Sequence, residues 1–404
     1  MDRKKIIPIL GFAGFVTMAD NWVVSPILPS IAQNLNVDIA AGAIVITAYM
    51  LPFGLFQLLY GYLAERFGKR QVITFAISMF TIATAMCGFA VAIPDLAAYR
   101  AITGMFAAAI MPISIALIGD VFPVEERQAA IGSFMGISFL GQGLSMAIGG
   151  SIAYFLNWRG VFIVYAGLAV ISSILLFTIG KNIPSTKNKE SKVVKPYINI
   201  LKNPSSMIIY ALVIFEGLFL IGSFSFLGGY IKQMFEINNF AIGLVMTAFG
   251  VMALIAGRKS GKISAKIGRK KTVVIGLSLA CIANIVLVTL GGFLSAAILA
   301  IGLMGFGFMM AHSTFLTLAT EFAAKERSYA TSLVAFFFMT GGGIGTAIGG
   351  RIVAASSYGN LFIIYGLGLV LVTICALFVK HSFNTSSQPV NNMIIEEVCH
   401  NGRS

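Results

Sequence analysis

The feature that most constrains this chain is a pattern that occurs twice, with its two copies 200 residues apart. The tripeptide at Ile148–Gly150 returns at Ile348–Gly350, and the tetrapeptide at Phe162–Tyr165 returns, with one change, at Phe362–Tyr365. Self-similarity at a fixed offset is the signature of a duplicated structural unit. The sequence therefore predicts two related halves.

The composition makes each half a membrane unit. Hydrophobic residues are 58% of the chain, charged residues 11%, and the mean hydropathy is +0.90. A helix needs about 20 apolar residues to cross the hydrocarbon layer, and the sequence contains twelve such runs, six in each half. We expect an all-α membrane protein with twelve transmembrane helices in two six-helix bundles. Parallel repeats of this kind are an architecture of transporters.

Polar segments set the predicted domain limits. We expect an N-terminal bundle over residues 1–180 and a C-terminal bundle over residues 206–381. Between them, residues 181–205 carry six lysines and form a basic cytoplasmic linker. Residues 382–404 are predicted to be a flexible cytoplasmic tail.

The net charge of +13 would suggest nucleic-acid binding in a soluble protein, but its distribution indicates topology instead. Most Lys and Arg residues fall in the segments that share a side with Met1, and positive residues favour the cytoplasmic side of short loops. Both termini are therefore predicted to be cytoplasmic. We expect a multi-pass protein of a bacterial cell membrane, surrounded by lipid and with no nucleic-acid partner.

A loop motif supports a family resemblance. The segment GYLAERFGKR at 61–70 follows the second apolar run, and its counterpart at 261–270 is GKISAKIGRK. The first copy resembles GxLADRxGRK, the signature of the major facilitator superfamily in this loop. The resemblance covers nearly the whole chain. It implies the major facilitator fold, with both termini cytoplasmic, acting as a monomer.

The resemblance also implies a cytoplasmic gate. In the family, an acid at the position of Glu65 and an arginine at that of Arg66 help to hold the inner side shut, and Asp120 is the expected partner of Arg66. The second copy has Ala265 and Lys266 at these positions, so we assign the gate to the first copy. The alternative is that these are solvated loop charges. The predicted gate motif comprises Gly61, Glu65, Arg66, Gly68, Arg70 and Asp120.

Asp20 lies inside the first apolar run, in FVTMADNWVVSPILPSIAQNL, which resembles the helix 1 pattern of the superfamily's drug:H+ antiporters. A carboxylate near the bilayer centre costs about 2.5 to 3.5 kcal/mol unless it faces a cavity or a partner. Removal from water favours the neutral, protonated form. We therefore expect Asp20 to carry the proton. The alternative is a structural hydrogen bond at a helix contact.

Arg100 lies in YRAITGMFAAAIMP, which resembles the family's RxxxG helix 4 motif, with Gly104 as its glycine. Its predicted depth in the membrane is similar to that of Asp20. A pair would neutralise both charges, and a proton or a substrate arriving at Asp20 would loosen it. The alternative is that the long side chain extends to the membrane interface.

Two more ionisable residues lie within apolar runs: Glu216 in the seventh and His312 in the tenth. In this superfamily helices 1, 4, 7 and 10 line the central cavity, and Asp20, Arg100, Glu216 and His312 fall one on each. We predict that these four serve proton coupling and substrate binding, although His312 also fits a role as a helix-contact histidine. Further candidate lining residues are Asn21, Tyr49, Gln57, Gln142 and Phe336.

The fifth apolar run resembles the glycine-rich helix 5 motif of antiporters in the superfamily. The family form has a Gly-Pro pair where this chain has Ser145-Met146, which weakens antiport relative to symport. Small residues let helices pack closely. The predicted packing glycines are Gly132, Gly136, Gly149, Gly150, Gly349 and Gly350.

These observations predict a proton-coupled secondary active transporter that exports small amphipathic compounds by alternating access, as in multidrug efflux. The proton gradient supplies the energy, and no cofactor or metal is expected. Rival functions are a solute/H+ symporter or an exporter of a specific metabolite such as a sugar or an amino acid; a non-transporting membrane sensor is a remote third. An enzyme is not expected, because HExxH, GxSxG and P-loop motifs are absent from the sequence.

Overall fold

The computed structural model describes residues 5–185, 195–323 and 327–379, and within these ranges the secondary structure is helical with no strand. Eleven of the described helices are long and apolar enough to cross a membrane, and one bent pair of helices supplies a twelfth span. The predicted tail and residues 186–194 of the predicted linker lie outside the described residues.

Each half contributes six spans. The first half consists of α1 (Ile6–Trp22, continued by Val24–Asn34 after a bend of 51°), α2 (Ile39–Phe67), α3 (Lys69–Gly88), α4 (Ile93–Val121), α5 (Val124–Phe155) and α6 (Trp158–Thr178). The second half consists of α7 (Pro204–Phe235), α8 (Asn239–Ile267), α9 (Arg269–Thr289), α10 (Leu294–Phe322), α11 (Arg327–Ala355) and α12 (Tyr358–Phe378). A short linker helix, Lys195–Lys202, precedes α7.

The two loop motifs form the same tight turn. Gly68 ends α2 with φ +97°, and Gly268 ends α8 with φ +86°. Positive φ values of this kind are accessible mainly to glycine, so the repeated glycine is required by the backbone. The end of the bundle that carries these two turns is called the motif face, and the opposite end is called the far face.

The duplication is visible in the helix packing. A Cβ atom on Gly104 would lie 2.2 Å from the carbonyl oxygen of Tyr49, and one on Gly305 would lie 2.2 Å from that of Phe249. These contacts bring α4 against α2 and α10 against α8 at backbone distance. Glycine is the residue that permits such an approach.

A repeated hydrogen bond explains the repeated tetrapeptide. The Tyr165 hydroxyl of α6 donates to the Ser145 carbonyl of α5 at 3.4 Å. The Tyr365 hydroxyl of α12 donates to the Gly345 carbonyl of α11. A buried phenol needs such a partner because an unpaired hydroxyl in an apolar interior is unfavourable. Each tyrosine therefore fixes the outer helix of its half to the inner one.

The two halves meet most closely near the far face. The Ser25 hydroxyl of α1 donates to the Phe224 carbonyl of α7 at 2.9 Å. A Cβ atom on Gly150 of α5 would lie 2.5 Å from the Asn239 carbonyl oxygen and 2.9 Å from the Gly243 Cα, both on α8. Small residues thus let the halves touch along their backbones at this end.

The predicted packing glycines differ in their surroundings. A Cβ atom would lie within 3 Å of a neighbouring element at Gly149, Gly150, Gly349 and Gly350. Gly136 has open space at the Cβ position, so the prediction of a close helix contact there was wrong. Gly61 of the gate motif likewise has no neighbour within 4 Å of its Cβ position. The surroundings of Gly132 lie outside the described part of the chain.

The outer surface of the bundle is apolar. Large side chains on the peripheral helices are exposed, among them Phe75 on α3, Phe177 on α6 and Leu371 on α12. Apolar patches of this extent do not occur on ordinary soluble monomers. A surrounding lipid bilayer accounts for this exposure, and the protein is therefore a multi-pass membrane protein.

The close helix approach at Gly305 predicts a specific loss of stability. Gly305→Ala places a methyl group against the rigid Phe249 carbonyl, and we expect a loss of about 1 to 3 kcal/mol. Gly167→Ala is the matched control, because Gly167 is also within a helix and has nothing within 4 Å of its Cβ position. Thermal unfolding of the purified variants in detergent measures both effects. Equal midpoints for the two variants would contradict the packing argument.

Candidate functional site

A cavity of about 540 Å³ lies between the two halves. Its wall is rich in methionine and aromatic side chains with a few polar groups among them. The first half contributes Met18, Asn21, Trp22, Met135, Phe139 and Gln142. The second half contributes Arg258, Phe308, Met309, His312, Phe338 and Met339. Apolar walls with a few placed polar groups are typical of small-molecule sites.

The cavity extends toward the motif face. Met135, Arg258 and Leu316 line it, and each lies in the part of its helix (α5, α8 and α10) that is nearer to that face. Toward the far face the space ends where α1 meets α7 and α5 meets α8. The two halves therefore enclose a space that is closed at one end of the bundle.

Asp20 and Arg100 form a buried ion pair inside the first half. The Nη1 of Arg100 donates to Oδ2 of Asp20 at 2.6 Å, and the two side chains are 1% and 0% exposed. The guanidinium carbon lies 4.1 Å from the ring centroid of Tyr49. Asp20 does not line the cavity, although its neighbours Asn21 and Trp22 do. The pair is thus sealed behind the cavity wall.

Glu216 and His312 form a second buried pair, in the other half. The Nδ1 of His312 lies 3.1 Å from Oε2 of Glu216, whose side chain is fully buried. A π-helical turn, Gly217–Ile221, directly follows Glu216 in α7. Such turns occur frequently at functional sites. The His312 side chain is 19% exposed and lines the cavity, so this pair has a direct contact with the enclosed space.

The four predicted membrane-embedded residues therefore fall into two pairs, one in each half. The equal depth of Asp20 and Arg100 pointed to their contact. The Glu216–His312 contact was not predicted. The signal was present in the repeat, since α7 and α10 are the counterparts of α1 and α4, and each carries one ionisable residue within its apolar run.

The other candidate lining residues fall into two groups, those that line the cavity and those that do not. Asn21 and Gln142 line the cavity, and neither polar atom of the Asn21 amide has a partner among the described residues. Tyr49, Gln57 and Phe336 do not line it, and for these the prediction was wrong. Tyr49 covers Arg100 instead.

Helix geometry explains the error at Phe336. The residues of α11 that line the cavity are Phe338 and Met339. Phe336 lies two positions before Phe338, which is about 200° around an α-helix. Its own carbonyl group packs against Gly54 of α2.

The loop charges differ from the predicted gate. The Nζ of Lys69 lies 2.7 Å from Oδ2 of Asp120 and 3.0 Å from Oε1 of Glu65. Arg66 is exposed and donates to the Tyr62 hydroxyl, so Arg66 as the partner of Asp120 was wrong. Lys69 lies closer because it begins α3, one helical turn beyond Glu65. The cluster joins α2, α3 and α4 within the first half.

The second half has an equivalent ion pair, which corrects the assignment of this feature to the first copy alone. Arg269, at the position of Lys69 plus 200, pairs with Glu321 at the end of α10. The acid comes from the helix end and not from the loop motif, where Ala265 stands. Arg70 of the first motif donates to the Lys181 carbonyl at the end of α6. Each motif therefore braces its own half.

Two bundles with a cavity between them define a membrane transporter of the two-repeat type. The sequence profile of the Major Facilitator Superfamily matches residues 10–325 and 217–395. The chain belongs to the Major Facilitator Superfamily, whose members are transporters and not enzymes.

Relatives with assigned names agree with this class. The chain is 28% identical over 272 residues to the uncharacterized MFS-type transporter YceJ of Bacillus subtilis, covering 66% of this chain and 68% of that protein. It is 24% identical over 417 residues to the multidrug transporter protein MdtP of Bacillus subtilis, covering 89% and 76%. The nucleoside transporter NupG has the same fold, with a TM-score of 0.77 at 13% identity over 93% of this chain and 99% of that chain.

The buried pair in the first half predicts strong coupling between its members. Arg100→Gln leaves the Asp20 carboxylate unpaired, and we expect a loss of about 3 to 5 kcal/mol. Adding Asp20→Asn to that variant removes the stranded charge, so the double variant should be more stable than Arg100→Gln alone. Thermal unfolding in detergent of the wild type, both single variants and the double variant completes the cycle. Additive losses would contradict the pairing.

Proposed function

We propose that the protein is a proton-coupled exporter of small amphipathic compounds that works by alternating access. The observation that carries this proposal is the cavity between the halves, walled by methionine and aromatic side chains and closed at the far face. Flexible methionine and aromatic walls adapt to varied apolar ligands. Rocking the halves about such a cavity exposes it to each side of the membrane in turn.

The direction follows from the basic residues of the motif face. Lys69, Arg70, Arg269, Lys270 and Lys271 cluster at the two turns of that face. Positive residues favour the cytoplasmic side. We therefore assign the motif face to the cytoplasm, with both termini on that side. In this arrangement the structure is the state that receives its substrate from the cell interior.

Asp20 is the proposed proton carrier. It is fully buried, its Oδ1 has no partner among the described residues, and its Oδ2 accepts from Arg100. Protonation removes the charge that holds the guanidinium, so the α1–α4 contact would have two arrangements with different proton occupancy. The proton enters from the outer side and leaves to the cytoplasm as the substrate binds. This supplies the coupling between the proton gradient and export.

The relatives support export of this kind. Among proteins similar to the chain are a multidrug transporter and a puromycin resistance protein of Streptomyces alboniger, the latter 34% identical over 161 residues. That alignment covers 40% of this chain and 32% of that protein. These names belong to the relatives, and they favour export of foreign or amphipathic compounds by this chain.

A proton symporter is the second candidate. The observation in its favour is Ser145-Met146 in α5, where the resembling antiporters have Gly-Pro. Met146 packs against Gly243 of α8, so this position lies at the contact between the halves. Reversing the pH gradient separates the two functions, because an antiporter and a symporter then move the substrate in opposite directions.

The proposal predicts the behaviour of an acid-to-amide variant. In inverted vesicles that are acidic inside, the wild type should accumulate ethidium, an amphipathic cation, and Asp20→Asn should lose this gradient-driven uptake because its amide binds no proton. Glu236→Gln is the matched control, since Glu236 is an exposed acid in the loop after α7. Full gradient-driven uptake by Asp20→Asn would remove Asp20 as the carrier.

A further inference from the structure

Of the two buried pairs in the described helices, the one formed by Glu216 and His312 reaches the cavity. The His312 side chain is 19% exposed and lines the enclosed space, and its Nδ1 lies 3.1 Å from Oε2 of Glu216. Asp20 is 0% exposed and does not line the cavity. A ligand held between the halves in this state can therefore contact His312 directly, while Asp20 lies behind the cavity wall.

The pair holds one proton when its net charge is zero. That proton resides either on the carboxyl group of Glu216 or on the second nitrogen of His312, and the two forms have the same net charge. The other carboxyl oxygen, Oε1, is buried and has no partner among the described residues. Loss of the proton leaves one uncompensated negative charge away from water. Such a charge is strongly unfavourable unless another positive group replaces the lost proton beside it.

The remaining groups around the cavity leave this charge as the principal one. Arg258 of α8 lines the cavity, but it is exposed to solvent, which screens its charge. Asn21 of α1 and Gln142 of α5 are neutral amides. The residues of α11 that line the cavity are apolar. The first-half ion pair is neutral as a unit.

Aromatic rings surround the imidazole. The ring centroid of His312 lies 5.2 Å from that of Phe308 and 4.4 Å from that of Phe338. Trp22 of the first half lies 6.1 Å from Phe308. Aromatic faces attract cations, and offset stacking favours flat ligands. The space beside the pair thus suits a flat molecule that carries a positive charge.

We propose that a flat aromatic monovalent cation binds in the cavity beside His312 and displaces one proton from the Glu216–His312 pair. One positive charge enters the site and one leaves it, so the net charge of the occupied and the empty site is the same. The pair is then a second proton site, in addition to Asp20. This inference deepens the proposed export function by naming the ligand class and the group with which the ligand competes.

Binding measured without a gradient tests the exchange directly. Purified protein in detergent is titrated with ethidium in a weakly buffered solution that contains a pH indicator. We expect ethidium to bind up to about 10-fold more tightly per unit rise in pH, with release of about one proton per ethidium bound. Trp158→Phe leaves Trp22 as the only tryptophan of the chain, so quenching of its fluorescence by ethidium locates the dye in the cavity.

Two variants of the pair and one control identify the group that releases the proton when ethidium binds. Glu216→Gln keeps the shape of the side chain without a titrating proton, so ethidium binding should weaken, lose its pH dependence and release no proton. Combining it with His312→Gln removes both groups that can hold the proton, so the double variant should also release none, and it covers the case in which Glu216→Gln alone does not fold. Glu236→Gln, an exposed acid in the same half, should behave like the wild type. Unfolding midpoints confirm that each variant is folded.

The outcomes separate this inference from the transport cycle. Wild-type proton release by folded Glu216→Gln or by the folded double variant Glu216→Gln/His312→Gln would overturn the inference. If proton release were lost in Asp20→Asn but kept in Glu216→Gln, the inference would also be overturned, while the proposed export function would stand. Failure of the wild type to bind ethidium, or equal binding of the anionic dye 8-anilinonaphthalene-1-sulfonate with the same pH dependence, would overturn the ligand class. Retained exchange in Asp20→Asn together with its loss in Glu216→Gln supports the proposal.

Discussion

The high free energy of an unpaired charge away from water governs this structure. A carboxylate or a guanidinium in an apolar interior is tolerated when a partner neutralises it. The membrane-embedded acids of the described helices obey this rule. Asp20 is paired with Arg100, and Glu216 is hydrogen-bonded to His312. Because a proton can replace part of each pairing, the constraint that stabilises the fold is also the basis of the proposed proton coupling.

Duplication explains why the two halves contain similar turns and ion pairs that are built from different residues. In both halves a glycine turn is followed directly by a basic residue, which pairs with an acid at the end of the fourth helix of the half. The two pairs are Lys69–Asp120 and Arg269–Glu321. The buried pairs do not follow the same register. The position equivalent to Asp20, 200 residues later, is Leu220, whereas the acid of the second half is Glu216. The backbone architecture is therefore repeated, while the acid has moved by about one helical turn and its partner, Arg100 in one half and His312 in the other, by about three turns.

Much of the fold could be predicted from the sequence, because the length of an apolar run and the offset of a repeat are one-dimensional properties. The twelve spans followed from them, and the family resemblance came from the loop motif GYLAERFGKR at 61–70. The site was less accessible, since the direction of a side chain depends on the rotation of its helix. Phe336 and Phe338 illustrate this limit, because two positions decide which ring meets the cavity. Lys69 shows another: the partner of Asp120 depends on where α3 begins.

The contact between the halves at the far face has a consequence for how readily the protein changes state. It includes hydroxyl-to-carbonyl bonds such as that of Ser25, and glycine backbones such as Gly150 against Gly243. A net hydrogen bond contributes about 0.5 to 1.5 kcal/mol, and small residues bury little side-chain surface. Separating this seam breaks none of the described ion pairs, but it takes the Trp22 ring of α1 away from Phe224 of α7 and the Tyr154 ring of α5 away from Phe240 of α8. The halves are therefore held together at the far face by uncharged contacts, so a separation there leaves no ionised group without its partner.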